Sequence, residues 1–179
     1  MRTALLLSMI LISPLKVQST TIDYDYDLSM HGESFLMTQD TYCMALNIYH
    51  ESRSENLAGK FAVADVVMNR VYDRRYPHTI CSVIYQAEMK PSWKDPLDMI
   101  PVRNRCQFSW FCDGKSDEPA ESDAWNESLL VAHQSINEGR MAGITEGATH
   151  YHTTSIEPYW ASSLNQIGTI GSHIFYRAD

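Results

Sequence analysis

The sequence ALNIYHESRSENLAGKFAVADVVMNR, at residues 45–70, predicts two helices joined by a short link. The first helix is expected to begin after Thr38, whose hydroxyl suits an N-cap, and to end near Ser54. The second helix is predicted from Leu57 to Asp73, and apolar side chains cover nearly all of its sides. A helix of that kind is typical of the centre of a core, so the other elements are expected to pack around it.

Outward from this pair, the pattern predicts helices first and strands last. We expect a short helix at 80–86, an irregular loop with three prolines at 88–105, and a third long helix at 122–138. Alternating, β-rich segments at 148–154 and 168–177 predict a small antiparallel sheet. The predicted fold class is therefore α+β, with a helical core and a small C-terminal antiparallel β-sheet.

The first 37 residues differ in character from the remainder. Residues 1–19 combine a positive start, a short apolar run and small residues where a signal peptidase would cut, which predicts a secretory signal peptide. Residues 20–37 are polar and acidic and are interpreted as a linker, which leaves one domain at 38–179. The protein is expected in the periplasm or outside the cell, with no stable membrane insertion after signal cleavage.

The formal net charge of −8 weighs against a nucleic-acid partner, because acidic surfaces repel phosphate backbones. The sequence also has neither a Gly-rich phosphate loop nor the Gly-x-Ser-x-Gly motif of many hydrolases. No cofactor is predicted.

The cysteines predict disulfide bonds. An even number of them in an exported chain favours pairing, and the four present, Cys43, Cys81, Cys106 and Cys112, allow three pairings. Cys106 and Cys112 enclose only five residues and are the easiest pair, which would leave Cys43 with Cys81. A zinc site is the alternative, but no Cys-x-x-Cys motif or matching histidine spacing favours it.

Glu51 is the best candidate for acid–base chemistry. It lies near the end of the first helix, beside an apolar stripe that includes Ile48, and Glu55 follows one turn later. The negative end of a helix dipole, apolar neighbours and a second carboxylate all raise the pKa of a carboxyl group. A glutamate held protonated near neutral pH can act as a general acid. The alternative is an ordinary surface glutamate paired with Arg53 or Arg70.

Three histidines offer a different interpretation. His150 and His152 point to the same side of a strand, and His173 could reach them from the neighbouring strand. Together with Glu51 they could hold a metal ion. Because the sequence has no His-Glu-x-x-His motif, roles in lining a groove or in structure are favoured, and no metal site is predicted.

Four blocks of sequence within residues 42–177 resemble the SleB/CwlJ-type cell-wall hydrolases. The blocks are ALNIYHESRSE, GKFAVADVVMNRV, CQFSWFCDG, and GATHYHTTSIEPYW followed by IGSHIFYR. They occur in the order expected of the family. The chain departs from the family pattern at Ser54, where glycine is usual, and in a longer insertion at 87–105.

The resemblance implies a lysozyme-like core and lytic transglycosylase activity on the glycan strands of peptidoglycan. Glu51, the first glutamate of the first block, matches the catalytic acid of the family. In that chemistry one residue acts first as acid and then as base, so no second carboxylate is needed, unlike in most glycosidases. A monomer that acts in wall remodelling or in phage-driven lysis is expected.

Glycan binding calls for aromatic faces and for amide, hydroxyl or imidazole groups. The candidate substrate-binding residues are Gln107, Ser109, Tyr151, His152, Trp160 and Asn69. Two other functions stay open on the sequence alone. One is a metal-dependent wall amidase or peptidase that uses the three histidines, and the other is a non-catalytic wall-binding module.

Overall fold

The computed structural model describes residues 25–28, 33–120 and 122–178. The predicted signal peptide at 1–19 lies outside these residues. Within the segment expected to be a linker, strands β1 (Asp25–Leu28) and β2 (Glu33–Leu36) pair antiparallel. The alternating Asp and Tyr residues of β1 are the pattern of a strand, and its partner follows after four residues. The domain boundary at residue 38 stays a prediction.

The predicted helices are present. Helix α1 spans Gln39–Ser52, and the Thr38 side chain accepts a hydrogen bond from the Thr41 amide as its N-cap. Helix α2 spans Leu57–Tyr72, and the Asn56 side chain caps it in the same way. The short α3 (Ile80–Ile84) and the long α4 (Asp123–Asn137) are capped by Thr79 and Ser122.

Helix α2 lies at the centre of the core. One side carries Phe61 and Val67 into a cluster with residues of α1 and α4, including Ile48. The opposite side carries Ala62 and Val66, which belong to a second cluster with Phe175 of the C-terminal sheet. The helix is apolar on two opposite sides because it separates two packed layers.

The segment predicted as an irregular loop at 88–105 is instead a β-hairpin. Strand β3 (Ala87–Pro91) pairs antiparallel with β4 (Met99–Cys106). The prolines suggested a loop because proline lacks the N–H that a sheet interior requires. In a two-stranded ribbon each strand has a free edge, so Pro91 and Pro101 fit without breaking the pairing. A 3-10 turn at Ser109–Cys112 follows.

The C-terminal sheet is confirmed and has three antiparallel strands. In chain order they are β5 (His150–Thr153), β6 (Asn165–Ile170) and β7 (His173–Arg177), and β7 lies between the other two. Both expected disulfides are also present, joining Cys43 to Cys81 and Cys106 to Cys112. Across the described ranges, no helix combines the length and the apolar character needed to cross a membrane.

Candidate active site

Glu51 lies in the last turn of α1 and faces the edge strand β5. The hydroxyl of Tyr151, on β5, donates a hydrogen bond to Oε2 of Glu51 at 3.1 Å. Burial raises the pKa of Glu51, and the Tyr151 hydrogen bond and the charge of Arg70 only partly oppose that increase. The same environment raises the pKa of the Tyr151 hydroxyl well above its usual value, so that hydroxyl remains a donor.

Arg70 is the charged neighbour of this carboxyl group, and its guanidinium is almost fully buried. Its Nε donates to the Thr149 carbonyl at 2.8 Å. Its guanidinium carbon lies 5.5 Å from the centre of the Tyr76 ring and 5.1 Å from that of Phe108. Nη1 is buried and has no hydrogen-bond partner among the described residues. Arg70 thus brings positive charge to the site without forming a close ion pair with Glu51.

Two cavities meet at Glu51, and each has a volume of about 530 Å³. The Trp160-side cavity lies between β5, the 106–109 segment and the loop that carries Trp160. The Asp117-side cavity lies between the end of α1 and residues 109–120. Both are lined by Glu51, Ser109, Thr153 and His173, so the cleft continues past the carboxyl group on two sides. A chain-like substrate fits such an open, two-sided cleft better than a small molecule does.

The two cavities differ in chemistry. Within the described residues, Glu51 is the only acidic residue of the Trp160-side cavity. The Asp117-side cavity also contains Asp113, Asp117 and Glu118. Burial raises the pKa of Asp117, and the opposing charge of His50 does not cancel that effect.

The structure brings five of the six predicted substrate-binding residues together. These five, which all line the Trp160-side cavity, are Gln107, Ser109, Tyr151, His152 and Trp160. Asn69 does not line either cavity at Glu51. Its amide donates to the Thr145 hydroxyl and the Ala148 carbonyl, so it holds the segment that precedes β5.

The three histidines do not converge. His173 is paired with Thr153 across the β5–β7 ladder, so its side chain lies on the opposite face of the sheet from His150 and His152. His152 is also engaged, because Nδ1–H donates to the Thr153 carbonyl while Nε2 lies 2.9 Å from the Tyr176 hydroxyl. In the part of the chain that the structure describes, no group of three metal-ligating side chains is arranged to hold an ion.

The sequence interpretation missed the importance of Arg70 and His173 at the cleft. Arg70 was considered only as a possible partner of Glu51 on a solvated helix face. His173 was one of three histidines for which a groove-lining or structural role was favoured over metal binding, and it was not among the predicted substrate-binding residues. Its position beside residues of β5 could have been found from the strand register, but that register is a tertiary feature.

Comparison with known proteins identifies relatives of this chain. A model of the Cell Wall Hydrolase family matches residues 54–176, starting three residues after Glu51. A spore cortex-lytic enzyme of Bacillus cereus is 43% identical over 47 residues, which cover 26% of this chain and 18% of that enzyme. The matched segment is therefore less than a fifth of that relative's length.

Two solved structures cover far more of the chain. The catalytic domain of the Bacillus cereus SleB protein is similar over 77% of this chain and 89% of that domain, with 26% identity and a TM-score of 0.53. The catalytic domain of the germination-specific lytic transglycosylase SleB from Bacillus anthracis is similar over 79% of this chain and 97% of that domain, with 26% identity and a TM-score of 0.55. The chain therefore belongs to the Cell Wall Hydrolase family, and its α+β fold is that of the SleB catalytic domains.

Proposed function

We propose that this protein cleaves the bond between N-acetylmuramic acid and N-acetylglucosamine in peptidoglycan, as a lytic transglycosylase that leaves 1,6-anhydromuramic ends. The observation that carries the proposal is the Glu51 carboxyl group, which has a raised pKa and stands where two cavities meet. Membership of the Cell Wall Hydrolase family and the likeness to a SleB lytic transglycosylase support the same substrate.

Glu51 acts first as the general acid. Burial raises the pKa of Glu51, which favours its protonated form, and the protonated carboxyl can give its proton to the glycosidic oxygen while the bond from that oxygen to the muramoyl C1 breaks. Glu51 then carries a negative charge. The Tyr151 hydrogen bond and the charge of Arg70 stabilise this carboxylate, since both lower its pKa.

The second step closes the ring. The muramoyl C6 hydroxyl forms a bond to C1 and loses its proton, and the Glu51 carboxylate accepts that proton. The acid is thereby regenerated, and no water is consumed. The Trp160-side cavity offers no second carboxylate among its described residues, which is compatible with a mechanism that needs only one.

A second candidate activity rests on the Asp117-side cavity. A hydrolase needs a carboxylate to activate water, and Asp113, Asp117 and Glu118 line that cavity. The product of such an enzyme would have a reducing muramic end instead of an anhydro end. Product chemistry therefore separates the two activities.

The substrate would lie across both cavities. We assign sugar contacts to Gln107, Ser109, Tyr151, His152 and Trp160, and we omit Asn69 because its amide is engaged elsewhere. The protein would act as a monomer in the periplasm or outside the cell, and its two disulfides fit an oxidising compartment. Wall remodelling and phage-driven lysis are both compatible with this activity.

The test is mass spectrometry of the fragments released from purified sacculi. Wild type, Glu51→Gln and Asp117→Asn are compared, and Glu88→Gln serves as control because Glu88 lies in an exposed ion pair with Arg105. Anhydromuramic ends from every protein except Glu51→Gln are the expected result. Reducing ends that disappear in Asp117→Asn would establish the hydrolase instead.

Other results would point to other functions. Free stem peptides would indicate an amidase or peptidase, and binding of sacculi without any soluble product would indicate a wall-binding module. Equal activity in wild type and Glu51→Gln would contradict the proposed mechanism whatever the product.

A further inference from the structure

His173 stands beside Glu51 but has no part in the mechanism above. It is the first residue of β7 and is only 3% exposed, yet it lines both cavities. Its ring lies 5.1 Å from the Tyr151 ring, centre to centre, and nearly perpendicular to it. Tyr151 donates a hydrogen bond to Glu51, where the two cavities join, so the His173 ring also lies near that junction.

One ring nitrogen of His173, Nδ1, lies on the side of Glu55. Nδ1 is buried and has no hydrogen-bond partner among the described residues, but Oε1 of Glu55 lies 4.0 Å from it. A negative oxygen on that side favours the tautomer in which Nδ1 carries the proton. In that tautomer Nε2 keeps its lone pair and is the nitrogen left to accept a hydrogen bond from the cleft.

Glu55 is held firmly in place for such a role. The backbone amide of Ser172 donates to its Oε2 at 3.0 Å, and the Ser172 hydroxyl donates to Oε1. Gly171 has a φ of +59°, and a Cβ at that position would stand only 2.0 Å from Oε2 of Glu55. The turn between β6 and β7 is thus fitted closely around this carboxylate.

The charge states are consistent with this geometry. Burial pushes the pKa of Glu55 upward, but the Ser172 hydrogen bonds and the nearby His173 and Lys60 outweigh it, so the pKa is lowered and Glu55 is ionised at neutral pH. Burial lowers the pKa of His173, with His152 acting in the same direction and Glu55 opposing them. A neutral imidazole beside a fixed carboxylate follows.

We propose that His173 is a substrate-binding residue whose Nε2 accepts a hydrogen bond from a sugar hydroxyl next to the scissile bond, and that Glu55 is the positioning residue that fixes its tautomer. The inference rests on the proposed function, since it assumes a glycan in the cleft. In the lytic transglycosylase mechanism the hydroxyl in question is the muramoyl C6 hydroxyl. It donates to His173 while Glu51 is still protonated, and once Glu51 has given up its proton the same O–H turns to the Glu51 carboxylate, which accepts the proton as C6–O attacks C1.

The tautomer is tested by nitrogen NMR of the imidazole in the full chain, and this measurement does not depend on turnover. Wild type is expected to show a protonated Nδ1 and an unprotonated Nε2 at neutral pH. Glu55→Gln removes the charge, and a mixture of both tautomers is expected, whereas the control Glu88→Gln should match wild type. A protonated Nε2 in wild type, or an unchanged tautomer in Glu55→Gln, would overturn the positioning role.

The substrate contact is tested by rates of sacculus digestion. His173→Ala is expected to lower kcat/KM by roughly a hundredfold, comparable to the loss of orientation of a reacting group. His173→Gln should recover part of the rate, because its amide oxygen can accept a hydrogen bond. The control is His78→Gln, at an exposed histidine outside both cavities, which should keep the wild-type rate.

Two further results keep this inference separate from the proposed function. A folded His173→Ala variant that digests sacculi at the wild-type rate would refute the contact while leaving the Glu51 mechanism intact. Conversely, if wild type yields reducing ends, the proposed product is wrong, but loss of rate in His173→Ala and partial recovery in His173→Gln would still support the contact. Each variant is first checked for folding by urea unfolding.

Discussion

Removing each disulfide alone should show that one bond matters more for stability and the other more for activity. Cys43–Cys81 joins α1 to α3 across 38 residues, whereas Cys106–Cys112 spans only six. The entropy lost by the unfolded chain on closing loops of these lengths stabilises the fold by about 3.9 and about 2.2 kcal/mol, respectively. The Cys43→Ala/Cys81→Ala variant should therefore lose about 1.7 kcal/mol more unfolding free energy than Cys106→Ala/Cys112→Ala.

Activity should follow the reverse order. The short loop closed by Cys106–Cys112 carries Gln107 and Ser109 of the cleft and also Phe108, whose ring lies against Arg70. Freeing this loop should lower kcat/KM by roughly ten- to a hundredfold, because misplacing substrate-contacting groups by about 1 Å has effects of that size. The Cys43–Cys81 bond touches neither cavity, so its loss should leave the rate of the folded protein nearly unchanged.

The two double variants serve as each other's control. Urea unfolding followed by tryptophan fluorescence gives the stabilities, and the rate of sacculus clearing below the unfolding transition gives the activities. The reasoning is refuted if Cys106→Ala/Cys112→Ala is the less stable variant, or if it clears sacculi at the wild-type rate.

Three further predictions concern Glu51, the β6–β7 turn and Trp160. Burial raises the pKa of Glu51, so ionisation of this group destabilises the native state. The unfolding free energy of Glu51→Gln should therefore exceed that of wild type by an amount that grows as the pH rises above about 4.5 and becomes constant above the native pKa. Urea unfolding at several pH values measures this difference, and a difference that does not vary with pH would contradict the prediction. Gly171→Ala should lower the urea midpoint more than Gly114→Ala, since both glycines have positive φ but only Gly171 would collide with Glu55; equal midpoints would argue against the close fit. Trp160→Ala should raise KM for soluble glycan fragments several-fold and Trp160→Phe should raise it less, because a ring contact contributes about 0.5–1.5 kcal/mol. An unchanged KM in Trp160→Ala would show that Trp160 does not contact the glycan.

Local chemistry was sufficient to predict the helices and the C-terminal sheet. Thr38 and Ser122 are N-caps because their side chains accept bonds from amides three residues later, an interaction contained within the chain segment itself. The hairpin formed by β3 and β4 was missed because its prolines are acceptable only at the free edge of a two-stranded ribbon. Whether a strand has a free edge depends on which strands neighbour it, which the local sequence does not contain.

The candidate site was predictable in part for the same reason. Glu51 was found from its place on one helix, whereas its hydrogen bond to Tyr151 joins residues that are 100 positions apart. The parity of the β5–β7 register decides that His173 lies on the face opposite His152. A shift of one residue would have reversed that arrangement and made the alternative metal site geometrically reasonable.

The polar residues at one side of α2 explain how such distant parts meet accurately. Asp65 accepts hydrogen bonds from the amides of Gly143 and Thr145, at 2.8 and 3.0 Å. Asn69 and Arg70 donate to the carbonyls of the two residues that precede β5, at 2.9 and 2.8 Å. One rigid helix therefore fixes the backbone of residues 143–149 at both ends.

Strand β5 begins at His150, directly after the segment that these hydrogen bonds hold, so they also fix the position of Tyr151. All of these hydrogen bonds come from helix α2, and α2 packs directly on α1, which carries Glu51. The distance between the Tyr151 hydroxyl and the Glu51 carboxyl is thus determined by short contacts at α2. Three of the polar side chains of this mostly apolar helix, Asp65, Asn69 and Arg70, therefore place β5 against the candidate acid.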